Sequence, residues 1–240
     1  MVISHQYQYI FVQLEKTASS AIAKELCEYY EGREILWKHA RYEDFLAVAT
    51  MEEKKYFAFA GVRNPLDIAV SRYHLRLLGR GNRIDKNNLR QYLFLKEHSS
   101  FEDFFLKFYA GDIYNDWKTN YYNQLDYIYR YENLQADFSL ILNKLKIRQI
   151  RPLPWFNKTP DKRVFKEYYN NQVIQSKAMI VFEKYCRKWK YDFPDDWLKP
   201  SRADVFVLKP ILEIKYFFKK IIHTVIDSPA LYRWRMMGRK

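Results

Sequence analysis

Strands alternating with helices over most of the chain predict an α/β fold: three layers, α/β/α, around a central parallel sheet. Two stretches carry that expectation. The apolar run Tyr9-Ile10-Phe11-Val12-Gln13-Leu14 stops at the polar turn Glu15-Lys16-Thr17-Ala18-Ser19-Ser20, and a helical pattern follows from Ala21 to Tyr30. The run Tyr56-Phe57-Ala58-Phe59-Ala60-Gly61-Val62 stops in the same way at Arg63-Asn64-Pro65. Pro65 then opens a helix, as proline does at a first helical position, and Gly79 ends it just after Leu78.

The remaining elements follow in order. Residues 7–14 read as a buried strand and 19–30 as a helix. Ile35-Leu36-Trp37 reads as a short strand ending at Lys38-His39, and residues 41–49 as a helix. A polar, basic loop over 79–88 leads to helical patterns at 89–97 and 101–109. Asp126-Tyr127-Ile128-Tyr129-Arg130-Tyr131 is a third strand, 133–145 an amphipathic helix, 150–163 a loop with two prolines, and 170–189 a long helix. The organisation expected is a main domain over 1–198 and a basic, amphipathic helical extension over 199–240.

Composition bounds what such a fold can serve. The 240 residues suffice for one substantial core, and a hydrophobic content of 48% excludes a disordered chain. The formal net charge of +13 favours anionic partners without choosing among them. Cys27 and Cys186 both lie in helical patterns with no metal-ligand spacing, which argues against a disulfide framework or a zinc site. No run approaches the ~20 apolar residues of a membrane span, and no leader pattern precedes the first strand, so a cytoplasmic setting is expected.

A strand, a short polar turn and a helix aim backbone N–H groups and a cation at one point, where an anion can sit. Here Lys16 supplies the cation, and Thr17, Ser19 and Ser20 supply hydroxyl donors. A helix cap by Thr17 or Ser19 is the plainer alternative. GxxxxGK[ST] is absent, so the wide glycine cradle of triphosphate hydrolases is not available. Arg63 stands at the carboxyl end of its strand, where open α/β sheets bind ligands, and Ser71 lies two turns into the following helix. Arginine and serine together suit a phosphate monoester; a surface ion pair and a helix-interior hydroxyl are the plainer readings.

Together these motifs resemble the sulfotransferases, in particular the carbohydrate and heparan 2-O-sulfotransferase-like family. There the first loop reads like PKTAGTS, and the second element like F-x-F-V-R-N-P followed by S-x-Y. Here they are Glu15-Lys16-Thr17-Ala18-Ser19-Ser20-Ala21 and Phe57 to Pro65 with Ser71-Arg72-Tyr73. The resemblance continues at Lys38-His39, at Tyr129-Arg130-Tyr131-Glu132-Asn133-Leu134 and at Leu153-Pro154-Trp155-Phe156-Asn157-Lys158, and covers about Tyr7 to Trp197. It implies a sheet like that of the P-loop NTPases and a donor, 3′-phosphoadenosine 5′-phosphosulfate, used without a metal. Lys16, Thr17, Ser19 and Ser20 would hold its 5′-phosphosulfate, Arg63 and Ser71 its 3′-phosphate, and Lys158 would close over it. His39 would be the base and Lys16 would offset charge on the leaving group, with His74 the alternative base and Glu43 a residue that could orient His39. The chain departs from the pattern at Ser19, Ala21, Gly61 and Ile68.

The acceptor expected is a carbohydrate-type hydroxyl. Arg80, Arg83, Lys86 and Arg90 offer cations, and Trp117, Lys118, Tyr121 and Tyr122 offer rings and charge for sugar faces. Two other classes stay open: a nucleotide-dependent kinase of related fold, and a non-catalytic basic module on nucleic acid or membrane. No nucleic-acid-binding signature is present, and nucleic acid is not the partner expected. From Pro210 a helix carries Ile211, Ile214, Phe218, Ile221, Ile222 and Val225 on one face. It reads as a helix packed on the domain, with peripheral membrane contact through residues 205–226 as the sharper alternative.

Overall fold

A computed structural model describes residues 1–79, 86–154 and 162–226, with the side chains of 223–226 excepted. It is a mixed α/β protein with one five-stranded sheet. Two compact units interleave along the chain: described residues of Met1–Arg63, Asp116–Lys158 and 223–226 form the first, and those of Asn64–Asn115 and Thr159–Ile222 the second.

The first unit holds the sheet. Its strands are β1 (Val2–Ser4), β2 (Tyr9–Val12), β3 (Arg33–Glu34), β4 (Phe57–Val62) and β5 (Tyr127–Arg130), in the spatial order β3-β1-β2-β4-β5. β2, β4 and β5 run parallel, in the register Phe11↔Phe59 and Gly61↔Tyr129. The sheet is nevertheless mixed and not the all-parallel one expected, because β1 lies antiparallel to both β2 and β3. The reason is local. A tight turn over residues 5–8, with Gln8 left-handed, folds the chain straight back, and only an antiparallel pair can be joined so briefly. The strand expected at Ile35-Leu36-Trp37 does not form either. Leu36 is left-handed, Trp37 is exposed, and the pairing with β1 is made two residues earlier by Arg33 and Glu34.

One face of the sheet presents Tyr9, Phe11, Phe59 and Tyr129. Against it pack Ile22 and Leu26 of α1 (Ser19–Tyr29) and Phe138, Ile141 and Leu142 of α6 (Leu134–Lys144). Phe11 and Phe59 stack at 5.0 Å between ring centroids. On the other face Ile10, Val12, Ala58 and Ala60 are buried as well, so these strands read as continuous apolar runs, as parallel strands do. Buried Glu25 of α1 takes a two-pronged ion pair from Arg151, at 3.0 and 2.8 Å, which ties the segment after α6 to α1. A short helix α2 (Tyr42–Val48) completes the helices of this unit.

The second unit is helical: α3 (Pro65–Leu77), α4 (Lys86–Glu97), α5 (Phe101–Phe108), α7 (Gln172–Trp189) and α8 (Arg202–Ile226). α3 starts and stops as its sequence predicts. Asn64 Oδ1 accepts the Leu66 N–H at 3.0 Å, Pro65 takes the first turn, and Gly79 is left-handed just beyond the end. Much of the aromatic content of the chain is spent here, where Tyr73, Phe101, Phe105, Tyr109, Tyr169 and Phe182 form a continuous ring cluster. α8 begins eight residues before Pro210, where the sequence reading starts it. Ser201 caps its first turn through the Asp204 N–H, and the proline is carried inside the helix.

Gly61 is the position on which the sheet's geometry is least negotiable. A Cβ there would lie 2.1 Å from the ring of Tyr129, its partner across the ladder. Gly61→Ala is therefore expected to lower unfolding free energy by about 2–3 kcal/mol, as overpacking in a close-packed core does. Urea denaturation measures this, and a loss of a few tenths would mean that the ring moves aside freely.

Candidate functional site

The loop 13–18 leaves β2 and enters α1, and two hydroxyls fold it. The Thr17 and Ser19 hydroxyls both donate to the Leu14 carbonyl, at 2.9 and 2.6 Å, from fully buried positions. They shape the loop, so what they present to a ligand is backbone N–H. Tyr129 reaches across from β5 and donates its hydroxyl to the Thr17 carbonyl at 3.0 Å, with Thr17 Oγ1 at 3.2 Å. Burial pushes that phenol far above its ordinary range, so it keeps its proton and remains a donor.

Lys16 and Ala18 are both left-handed, with φ of 67° and 62°. For residues with a Cβ this conformation costs about 1–2 kcal/mol each. Ala18 stands at the cap position of α1 with no side-chain cap, and the first turn of the helix carries no acidic residue. The positive end of α1 is thus not neutralised by its own side chains, which is the electrostatic condition for an anion. Ser20 follows in the first turn, half-buried.

Arg63 comes to the same loop. It directly follows β4, is 6% exposed, donates from Nη1 to the Lys16 carbonyl at 2.8 Å, and lays its guanidinium 3.8 Å over the Tyr131 ring. Strand ends that are far apart in sequence thereby put two cationic residues at one edge of the sheet. The other arginine–serine partner, Ser71, is a buried residue of α3 in the second unit. Lys158 lies outside the described residues.

His39 sits in a turn closed by the Ala40 N–H on the Trp37 carbonyl. Its Nδ1 is 3.2 Å from the carbonyl of Gln13, the residue that follows β2. A carbonyl only accepts, so Nδ1 carries the proton and Nε2 keeps its lone pair. Burial holds the imidazole below its ordinary pKa of 6.5, with the Lys118 and Lys38 charges acting the same way, while the Gln13 bond and Glu15 act against them. The group is therefore a neutral base near pH 7. Glu15 in turn pairs with Lys118 at 3.1 Å. Glu43, the residue considered as an orienter of His39, has a carboxylate oxygen 3.4 Å from Arg41. The alternative base, His74, is packed in the second unit, its Nε2 2.6 Å from the Tyr168 hydroxyl and its ring edge-on to Tyr73.

Gln13 is the residue that sequence reasoning overlooked. Its amide is buried with neither Nε2 nor Oε1 in a hydrogen bond, a state that calls for a ligand or a water. It lines a cavity of about 490 Å³ together with Ser20, Lys24 and Lys38. The sequence signal was slight: a single polar residue at the end of an apolar run. Tyr129 and Tyr131 were noticed only as part of a motif, since their contacts with Thr17 and Arg63 depend on strand register. Of the rings proposed for sugar faces, Tyr122 is wholly buried and belongs to the core, whereas Trp117 and Tyr121 are partly exposed. Arg80 and Arg83 lie outside the described residues, and Lys86 and Arg90 are on α4 of the second unit.

Comparison of the chain with models of known families, with curated proteins and with solved structures yields no match.

The strain in the loop can be measured. Ala18→Gly is expected to stabilise the protein by up to about 1 kcal/mol, because glycine adopts the left-handed region without penalty. Ala21→Gly, within α1, is expected to cost at least about 1 kcal/mol. Denaturation curves that rank the two the other way would remove the strained loop from the account.

Proposed function

We propose that this chain is a sulfotransferase. It would move a sulfuryl group from 3′-phosphoadenosine 5′-phosphosulfate to a hydroxyl of a carbohydrate-type acceptor. The observation that carries the reading is the convergence at the end of β2: a left-handed loop at Lys16 and Ala18, an uncompensated α1 N-terminus, Arg63 bonded to the Lys16 carbonyl, and a tautomer-fixed His39 on Gln13. The same reading assigns the fold to the three-layered, P-loop-like class, with the parallel β2-β4-β5 strands and their strand–loop–helix turn as its support.

The chemistry asked of this arrangement is modest and physical. The acceptor hydroxyl attacks sulfur in line, an O–S bond forms, and the bridging bond to the 5′-phosphate breaks. The hydroxyl proton passes to His39 Nε2. Negative charge grows on the bridging oxygen, where the Lys16 ammonium and the N–H groups of the loop and of α1 oppose it. Thr17, Ser19 and Ser20 contribute backbone donors at the 5′ end. The cavity bordered by Gln13, Ser20, Lys24 and Lys38 is the seat assigned to the acceptor. Arg63 and Ser71 are assigned the 3′-phosphate and Lys158 closure over the donor, on the sequence resemblance. The net charge of +13 favours so anionic a donor.

His39→Ala is expected to leave binding of 3′-phosphoadenosine 5′-phosphate within about twofold while transfer to a competent glycan falls by at least about 10²-fold. In the unaltered protein the rate should rise with pH through a pKa below 6.5 and be level by neutrality, since the imidazole acts when unprotonated and burial lowers its pKa. A level profile down to pH 5, or transfer retained in the variant, would move the base elsewhere. Arg63→Ala should weaken the 3′,5′-bisphosphate by about 10–100-fold, the worth of a charged hydrogen bond, while adenosine 5′-phosphate is weakened much less. Equal losses for the two nucleotides would reduce Arg63 to a brace for the loop.

A further inference from the structure

The amphipathic helix α8 is mounted the opposite way round from an ordinary surface helix. Its contacts with the second unit are made largely by its polar side. Lys209 pairs with Glu183 at 2.6 Å, Lys219 with Asp112 at 2.7 Å, and Glu213 with Lys184. Lys184 also lies 4.3 Å from the Tyr216 ring, and Leu212 is the one apolar residue of the helix buried beneath it among the described residues. The apolar side faces out: Phe206, Ile211, Ile214, Phe217, Phe218 and Ile221 are each between 45% and 83% exposed. At about 100° per residue these six fall in one arc of about 140°, with no charged residue inside it. Charged residues of both signs stand at the borders: Glu213 and Lys220 lie about 20° and 40° beyond Phe206, and Asp204 and Lys215 about 20° and 40° beyond Ile211.

We propose that α8 is a membrane-surface helix that holds the protein on an anionic bilayer, its apolar arc sunk among the acyl chains and its bordering lysines at the headgroups. Two features select this occupant. The first is shape: a convex helical ridge, apolar across its outward arc over four turns, matches a plane that can part around it. The second is charge. Residues 202–222 carry five basic side chains and two acidic ones, a net of +3, and basic side chains outnumber acidic ones on both flanks of the arc. A second copy of the chain would bring the same net positive charge, whereas anionic lipid brings the opposite sign. No described helix is long and apolar enough to cross a membrane, so the contact is one of lying on the surface. The placement is independent of the reaction proposed above.

The test is sedimentation of the full chain with phosphatidylcholine vesicles and with vesicles of phosphatidylcholine and phosphatidylglycerol in equal parts. The protein is expected to pellet with the mixed vesicles, to be released by raised salt, and to stay in solution with phosphatidylcholine alone. The double variant Ile214→Asp with Phe218→Asp changes only outward positions, and it should lower the vesicle-bound fraction about tenfold with an unchanged circular dichroism spectrum. Absence of binding to the mixed vesicles would overturn the proposal. So would undiminished binding by the variant, or a concentration-dependent dimer that the variant dissolves in the absence of lipid. Should the variant misfold, the lipid and salt dependence of the unaltered chain decides alone.

Discussion

Tyr129 can lie where it does only because Gly61, its neighbour across the β4–β5 ladder, has no side chain. The ring fills the space a Cβ would take, and its hydroxyl arrives at the backbone and side chain of Thr17. From that contact the loop inherits its form. Thr17 is pinned from β5, and its own hydroxyl, together with that of Ser19, is turned back onto Leu14. The residues on either side, Lys16 and Ala18, are held in a conformation their Cβ atoms oppose. Two left-handed residues in so short a turn persist when their surroundings over-determine them, and here a fully buried phenol and a buried arginine do so from neighbouring strands. The loop is thus held by hydrogen bonds from three sides, the arrangement in which backbone donors cost least to use.

The same reasoning explains a departure from the resemblance. Gly61, one of the positions at which the chain departs from that pattern, is the condition for Tyr129 to reach the loop. Arg63, next but one along, completes the arrangement from above the Tyr131 ring, so alternating aromatic residues near the end of β5 serve two different parts of one site. His39 joins it by a bond to the backbone of Gln13, and a backbone carbonyl cannot be altered by substitution. The orientation of the base therefore depends on the course of the chain after β2 more than on any side chain.

The strand–loop–helix units were legible because their signals are local: apolar runs broken by polar turns, a proline at a helix start, a glycine beyond a helix end. β1 was not, since three residues carry no periodicity and its direction was set by a turn of four. The convergence of Lys16, Arg63 and His39 on the end of β2 could be guessed from the order of motifs. The inward turn of the Thr17 and Ser19 hydroxyls, the buried amide of Gln13 and the role of Tyr129 could not, because each depends on the register of strands distant in sequence. The tail was legible as amphipathic but not as inverted. Which face of α8 meets the protein is decided by Glu183, Lys184 and Asp112, none of them on the helix itself.

On the proposed reading, the loop after β2 is a seat for a 3′-phosphorylated adenosine nucleotide and not for a triphosphate. Calorimetric titration in magnesium-free buffer, with 3′-phosphoadenosine 5′-phosphate and with ATP, tests it most directly. Saturable one-to-one binding of the bisphosphate is expected, tighter than ATP by at least about tenfold, or about 1.4 kcal/mol. Equal or tighter binding of ATP, or no binding of the bisphosphate, would contradict it.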